Sequence, residues 1–334
     1  MSQLRVLYSE THDPWFNLAT EDWIFKEMST DSQVLFLWRN ADTVVIGRYQ
    51  NPWTECNLEA MERDGVKLAR RQSGGGAVFH DLGNTNFTFL SPKDSYSKER
   101  NFSIIVRALA SLGIQAEVSG RNDILVDGRK VSGSAFKLSQ DRAFHHGTLL
   151  IDTDLNRLSG YLTPHPKKLS SKGINSVKSR VANLAEFNPK VDHETICNAL
   201  CEAFFDTYGS RCEKEILDYR TLKEIDGLNR YFDQMRNWEW RFGTTPEFSH
   251  HIDEYFPFGH LDIYLNISGG IIGTVKVYSD SLFPELIEAL TDVLPGRRYE
   301  PASVREAVLS LKKTGVNGAE NLEEIADWIA SHTR

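Results

Sequence analysis

The alternation of apolar and polar positions divides the chain into short, mixed elements. After "THDPW", Leu18, Phe25 and Met28 recur at helical spacing, with Asp13 placed to cap and Pro14 suited to a first turn. Glu21 and Asp22 fall on or beside that apolar face. "QVLFLW" and "DTVVIG" predict two strands joined by Asn40-Ala41-Asp42, and "CNLEAMERDG" a short helix ending at Gly65. "AVFHDLGNTNFTFL" reads as a hairpin turning at Asp81–Asn84, and "NFSIIVRALASLGI" as an amphipathic helix stopped by Gly113. Asp127-Gly128 is the strongest hairpin signal in the chain. "FHHGTLLIDTDL" follows as a strand, and "HETICNALCEAFFDTYG" as a helix ending at Gly209.

The pattern breaks at "GTTPEFSHHIDEYFP" and restarts after it. "HLDIYLNI", the turn "SGG" and "IIGTVKVYSD" predict two strands; "PELIEALTDVL" and "SVREAVLSL" predict helices. This is a second α+β unit. The boundaries expected are a first domain over 1–246, a linker over 247–252 and a C-terminal domain over 253–334. The neighbouring His250, His251, Asp253 and Glu254 read as linker polarity, because adjacent residues seldom share a metal, and no metal site is expected. The first part lacks strict βαβ alternation, which favours a mixed or antiparallel sheet over a doubly wound fold.

Composition narrows this only a little. The chain has 334 residues, 40% of them apolar and 25% charged, values typical of a globular protein. A net charge of −8 argues against a nucleic-acid binder. Cys56, Cys197, Cys201 and Cys212 make no CxxC pair, and the spacing of Cys197 and Cys201 suits buried small apolar residues. No export signal and no membrane-length apolar run is readable, so a cytoplasmic monomer is expected.

Two features carry candidate chemistry. A two-residue Asp127-Gly128 turn sets Val126 opposite Arg129, Leu125 opposite Lys130 and Asp123 opposite Ser132. Alternation then places Asp123, Leu125, Lys130, Ser132 and Ser134 on one face, with Ile124, Val126 and Val131 on a core face. The other feature is "RRQSGGGAVF". Backbone N–H groups of a glycine loop suit phosphate oxygens or a developing anion, and arginine adds bidentate pairing; a structural turn is the alternative. The spacing is neither a P-loop nor a dinucleotide fingerprint.

"RRQSGGGAVFHDLGNTNFTF", "GRNDILVDGRKVSGSAF", "FHHGTLL" and "KGINSVKSRVANL", with "DPWFNLATEDWIF" and "LFLWRNADTVVIGRYQNPWTECN", resemble in order and spacing the signature segments of the bacterial lipoate–protein ligase A family. The resemblance implies an α+β fold: a mixed-sheet catalytic domain of the biotin/lipoate ligase type and a small accessory C-terminal domain. It implies ATP-dependent, Mg²⁺-supported activation of lipoate to lipoyl-AMP. The lipoyl group then passes to a lysine on E2 subunits of 2-oxoacid dehydrogenases or on glycine cleavage H protein.

Carried over residue by residue, Arg71, Ser73, Gly75, Gly76, Ala77, Val78, Phe79 and Asp123 are expected at the nucleotide or adenylate. Lys130 is expected to be catalytic, touching the α-phosphate and the acyl group. Leu18 and Trp38 are candidates for the wall around the acyl chain or for ordinary core. His80 could line the pocket or bond within its hairpin, and His146 reads as structural more than chemical. The hairpin before Lys130 is shorter than in some relatives, which bears on the loop's reach.

A thioester-forming octanoyl or lipoyl transferase is a rival reading. It needs a nucleophilic cysteine, and none lies between Cys56 and Cys197. A biotin ligase lacks support because no "GRGR"-type loop occurs. A non-catalytic adenylate-binding scaffold would not need Lys130. The acid-free stretch "HPKKLSSKGINSVKSR", with Lys167 and Lys168, could dock an acidic acceptor domain or be a solvated loop.

Overall fold

The computed structural model describes residues 3–29, 31–120, 122–162, 181–242 and 249–333. The basic stretch 165–180 therefore lies outside the described residues, as does most of "KGINSVKSRVANL". The chain forms two compact units. One comprises Met1–Val45, Pro52–Arg71 and Val78–Arg241; the other comprises Ile46–Asn51, Gln72–Ala77 and Phe242–Arg334. Both mix helices with sheet, as the α+β reading expected.

In the first unit an eight-stranded sheet runs in the order β11-β1-β2-β6-β10-β9-β8-β7. Its strands are β1 (Gln3–Ser9), β2 (Ser32–Trp38), β6 (Asn84–Pro92), β7 (Glu117–Ser119), β8 (Asp123–Val126), β9 (Arg129–Leu138), β10 (Arg142–Leu150) and β11 (Lys214–Leu217). β1 pairs in parallel with both β2 and β11, while the other pairs are antiparallel. The sheet is thus mixed. β3 (Thr43–Ile46), β4 (Lys67–Arg70) and β5 (Val78–His80) form a separate sheet in the order β4-β3-β5.

Helix α1 (Pro14–Glu27) begins where the sequence placed it: the Asp13 side chain accepts from the backbone N–H groups of Trp15 and Phe16. Helices α2 (Lys98–Ser111) and α3 (His193–Tyr208) share a core with Leu35, Leu37, Phe87 and Phe89. Val34, Phe36, Trp38 and Phe144 join α1 in another. β2 is therefore covered on both faces, which explains why "VLFLW" is continuously apolar rather than alternating.

Two expected pairings are corrected. β5 and β6 do not form a hairpin, because both edges of β6 are taken, by β2 and β10, while β5 pairs β3. The Asp81–Gly83 turn instead hands the chain from one sheet to the other. Asp81 Oδ1 accepts from Gly83 N at 2.9 Å, and its Oδ2 from Asp154 N at 2.8 Å.

The second correction concerns register. The Asp127-Gly128 turn is real, with φ of 49° and 73°, and Leu125 does face Lys130. A β-bulge then shifts the ladder, so Ile124 faces Ser132 and Asp123 faces Gly133. The residue left over is Val131. Ser132 and Ser134 consequently lie on the core face, buried at 0% and 6% exposure, and do not join Lys130.

The second unit packs β12 (His250–Phe256), β13 (Gly259–Ser268) and β14 (Ile271–Ser279) against helices at Pro284–Val293, Pro301–Ser310 and Leu322–Ser331. Leu261, Ile263, Val277, Leu286, Leu290 and Ile325 form its core. The polar residues read as linker belong to β12. Ile252 turns inward, and His251 on the opposite face lies 2.6 Å from Asp262. The helix at Leu322–Ser331 was not anticipated.

Candidate active site

The residues expected at the acyl chain converge inside the first unit. On the face of the large sheet shared with α1, alternate residues of β6 are Asn84, Asn86 and Thr88, a polar stripe on a strand whose other face is Phe87 and Phe89. Trp38 of β2 donates from Nε1 to Thr88 Oγ1 at 3.2 Å, and Thr88 donates to Glu21 Oε1 at 2.6 Å. His146 of β10 donates from Nδ1 to the same oxygen at 2.8 Å. Leu18, Trp38 and Val78 share one apolar cluster. His146 is thus tied to Glu21. The helix face carrying Glu21 was legible in the sequence; the polar stripe of β6 and its meeting with Glu21 were not.

His80 closes this region from β5. Its ring lies 6.2 Å from that of Trp38, edge-on at 68°. Asn40 Nδ2 donates to His80 Nδ1 at 3.1 Å, which leaves the ring proton on Nε2. That N–H, like Asn86 Nδ2, is buried with no partner among the described residues. Buried polar groups are normally satisfied, so both suit a polar ligand.

Arg71 directly follows β4, buried at 6% exposure, with Nη1 donating to Val45 O at 3.2 Å. Burial pushes its pKa down to about 10, opposed by the charge of Glu21. Burial, then Arg71 and His146, push His80 down to about 3 from an ordinary 6.5. A histidine held neutral in the fold contributes its full stability above its unfolded value and loses it as pH falls below that value. Wild type should therefore lose stability from pH 6.5 toward pH 3, and His80→Gln should flatten that loss. Denaturant titrations at pH 7 and pH 4.5 check this; equal losses in both proteins would refute it.

Glu21 is 2% exposed and answers Thr88, His146 and the charge of Arg71. Glu21→Ala leaves those groups buried without it, and should cost about 3 kcal/mol or more in a thermal melt, the range for breaking a buried charge network.

Lys130 and Asp123 form a second cluster. Lys130 Nζ lies 2.7 Å from Asp123 Oδ1, a charge contact rather than an aligned hydrogen bond, with side-chain exposures of 37% and 34%. The bulge places Gly133 opposite Asp123. A Cβ at 133 would stand 3.1 Å from both Cε and Nζ of Lys130. The missing side chain makes room for the lysine to lie across the strand. The Lys130 backbone is fixed by Ala182 N, which donates to its carbonyl at 2.9 Å. Phe79 packs on Tyr161, with ring centroids 5.3 Å apart.

Ser73, Gly75, Gly76 and Ala77 fall in the second unit. There the three glycines differ. Gly75 has φ of +93°, a conformation that L side chains rarely adopt. A Cβ on Gly74 would lie 2.1 Å from Ser281 O, and Gly75 N donates to that carbonyl at 2.9 Å. A Cβ on Gly76 would meet nothing within 4 Å. The backbone that comes too close for a side chain at Gly74 is therefore the chain's own, while Gly76 keeps open space beside it.

A family model of the lipoyl protein ligase A/B catalytic domain matches residues 13–205, and one of the bacterial lipoate protein ligase C-terminus matches residues 245–329. The lipoate-protein ligase A of Psychrobacter cryohalolentis is 51% identical over 332 residues, 98% of each chain. The chain belongs to the lipoate-protein ligase A family.

Among solved structures, P. falciparum LipL1 in complex with lipoate matches this family member with a TM-score of 0.88 and 34% identity, covering 98% of this chain and 100% of that one. A lipoate-protein ligase A bound with ATP matches at 0.63 and 26%, covering 72% and 99%. This lipoate-protein ligase A family member is accordingly a lipoate ligase. Its cysteines agree: burial pushes Cys56 and Cys197 up to about 12 and Cys201 up to about 11, so none of these three is a thiolate at neutral pH.

Proposed function

We propose that this ligase acts in two steps and that Lys130 serves both. In the first, a lipoate carboxylate oxygen attacks the α-phosphorus of ATP. The new acyl–phosphate bond forms as the bond to the β-phosphate breaks, and pyrophosphate leaves. Two anions meet in this step, so a cation beside them lowers the barrier. The observation that carries the reading is Lys130, a compact point charge held 2.7 Å from Asp123 with glycine space beside it. In the second step an acceptor lysine amine attacks the carbonyl, AMP leaves and the amine loses a proton; Lys130 polarises the same carbonyl.

Leu18, Trp38 and Val78 supply the apolar wall for the acyl chain, and the orphaned Nε2–H of His80 and amide of Asn86 face its polar end. Arg71, Ser73, Gly75, Gly76, Ala77, Val78, Phe79 and Asp123 are assigned to the nucleotide or adenylate, with Gly76 the position where a phosphate can approach the backbone. Among the described residues no cluster of three histidine, cysteine, aspartate or glutamate side chains could hold a metal. Mg²⁺ therefore fits as a companion of the triphosphate, held by phosphate oxygens with little help from the protein, as is usual for this ion. When bound it neutralises the departing pyrophosphate.

Acceptors are the lipoyl domains of 2-oxoacid dehydrogenase E2 subunits and glycine cleavage H protein, met in the cytoplasm. Among the described residues no helix is long and apolar enough to cross a membrane. The domain division proposed is catalytic 1–246 and accessory 253–334.

The test is exchange of labelled pyrophosphate into ATP, with lipoate and Mg²⁺ but no acceptor. Exchange that requires lipoate establishes the adenylate. Its absence from folded protein would sink autonomous adenylation.

A further inference from the structure

A cavity of about 470 Å³ opens on the first unit where β1, β11 and the start of α3 meet; its lining includes the bases Arg39 and Lys214, the acids Asp192 and Glu194, and Tyr8, His193, Cys197, Asn198 and Ile216. It uses the face of the sheet that packs α2 and α3, not the face carrying Glu21 and His146: Thr85, the β6 partner of His193, alternates with Asn84 and Asn86. No step proposed above uses it.

Two observations bear on what it could hold. In a chain of net charge −8, Arg39 and Lys214 both line this cavity, and neither makes an ion pair among the described residues. Arg39 Nη1 reaches only the Leu82 carbonyl, at 3.4 Å, and Lys214 Nζ the neutral amide oxygen of Asn198, at 2.7 Å. Neither lining acid, Asp192 or Glu194, makes an ion pair with them among the described residues. Asp192 Oδ1 is engaged by the N–H and hydroxyl of Thr195 at 2.8 and 2.9 Å, capping α3, and Glu194 is exposed to solvent.

Behind the cations, His193 is buried and bridges two hydroxyls: its Nε2 lies 2.9 Å from Tyr8 Oη and its Nδ1 2.7 Å from Thr85 Oγ1. The neutral ring has one proton to give. When that proton is on Nε2, the ring donates to Tyr8 and frees the phenol hydrogen to point at a ligand. When it is on Nδ1, the phenol is spent on the ring. An anion in the cavity selects the first tautomer.

We propose that this cavity binds a small oxyanion, a phosphate or a carboxylate, held by Arg39 and Lys214 and by a hydrogen bond from the Tyr8 hydroxyl, with Ile216 and Cys197 covering its apolar side. Charge-assisted bonds of this kind are the strong ones, and pairing with arginine and lysine together favours a divalent or delocalised anion over chloride.

The experiment reads the site locally, so phosphate held near Lys130 does not confuse it. The full-length chain is labelled with ¹⁵N in its histidine rings, and the His193 signal is assigned by its loss in His193→Gln. It is then titrated at constant ionic strength with inorganic phosphate and, separately, with acetate. A saturable shift of Nε2 toward the N–H range is expected, with the Kd raised about tenfold in Arg39→Gln and again in Lys214→Gln, the effect of losing one charge-assisted bond. Response to phosphate alone identifies a phosphate ligand; response to acetate alone identifies a carboxylate. No movement of His193 with either anion, or equal affinity in wild type and both variants, overturns the proposal. Circular dichroism of each variant verifies that it is folded.

Discussion

Lys130→Ala is expected to lose lipoate-dependent pyrophosphate exchange by a factor of about 10²–10³ while melting at the wild-type temperature. The magnitude is that of removing one preorganised electrostatic contact from a charged transition state. Stability should hold because the side chain is 37% exposed and its partner Asp123 is 34% exposed; an exposed pair of this kind contributes little. Asp123→Asn separates two roles. If Asp123 only positions the lysine, the variant should keep exchange within about tenfold of wild type and raise the KM for ATP or lipoate. Gly133→Val would fill the space the lysine occupies and should mimic Lys130→Ala in activity. Undiminished exchange in folded Lys130→Ala would remove the lysine from the mechanism and leave the ligase reading to be carried by other residues.

Gly74→Ala and Gly76→Ala should behave oppositely although the residues are two apart. At Gly74 the added methyl meets Ser281 O at 2.1 Å, and that carbonyl already accepts from Gly75 N. Backbone on both sides cannot give way as a side-chain tip can, so the variant should lose about 3 kcal/mol or more, the upper range for overpacking. At Gly76 the methyl enters open space, so the melt should be unchanged. If the nucleotide approaches this backbone, the KM for ATP rises about tenfold in Gly76→Ala, because a phosphate and a methyl compete for one place. Thermal melts and ATP saturation curves of both variants decide the matter. A wild-type melt for Gly74→Ala would refute the packing account; an unchanged ATP KM for Gly76→Ala would take this residue out of the nucleotide site.

Local signals were legible because they depend on neighbours a few residues away. Asp13 caps its helix, Gly209 ends another in the left-handed conformation, and Asp127-Gly128 turns the hairpin, all from short-range steric and hydrogen-bond rules. The order of motifs was equally readable, and it identified the family. Pairing was not. Nothing in "AVFHDLGNTNFTFL" reveals that both edges of β6 are already occupied, and nothing in "ILVDGRKVSG" reveals the bulge that turns Ser132 inward and sets Gly133 under Lys130.

The glycine loop divides along the same line. Its composition alone marked it as unusual, since three glycines are costly in an ordered segment, and left anion binding and a structural turn both open. Which body makes that approach, the carbonyl of Ser281 at Gly74 and open space at Gly76, is a matter of residues some 200 positions away. The candidate site depends on the same distances: Glu21, Thr88 and His146 come from a helix and two strands. A sequence specifies each side chain and the local path of its backbone. Which side chains meet is set by long-range packing that excludes water from one arrangement of strands, and that was decided only in the tertiary structure.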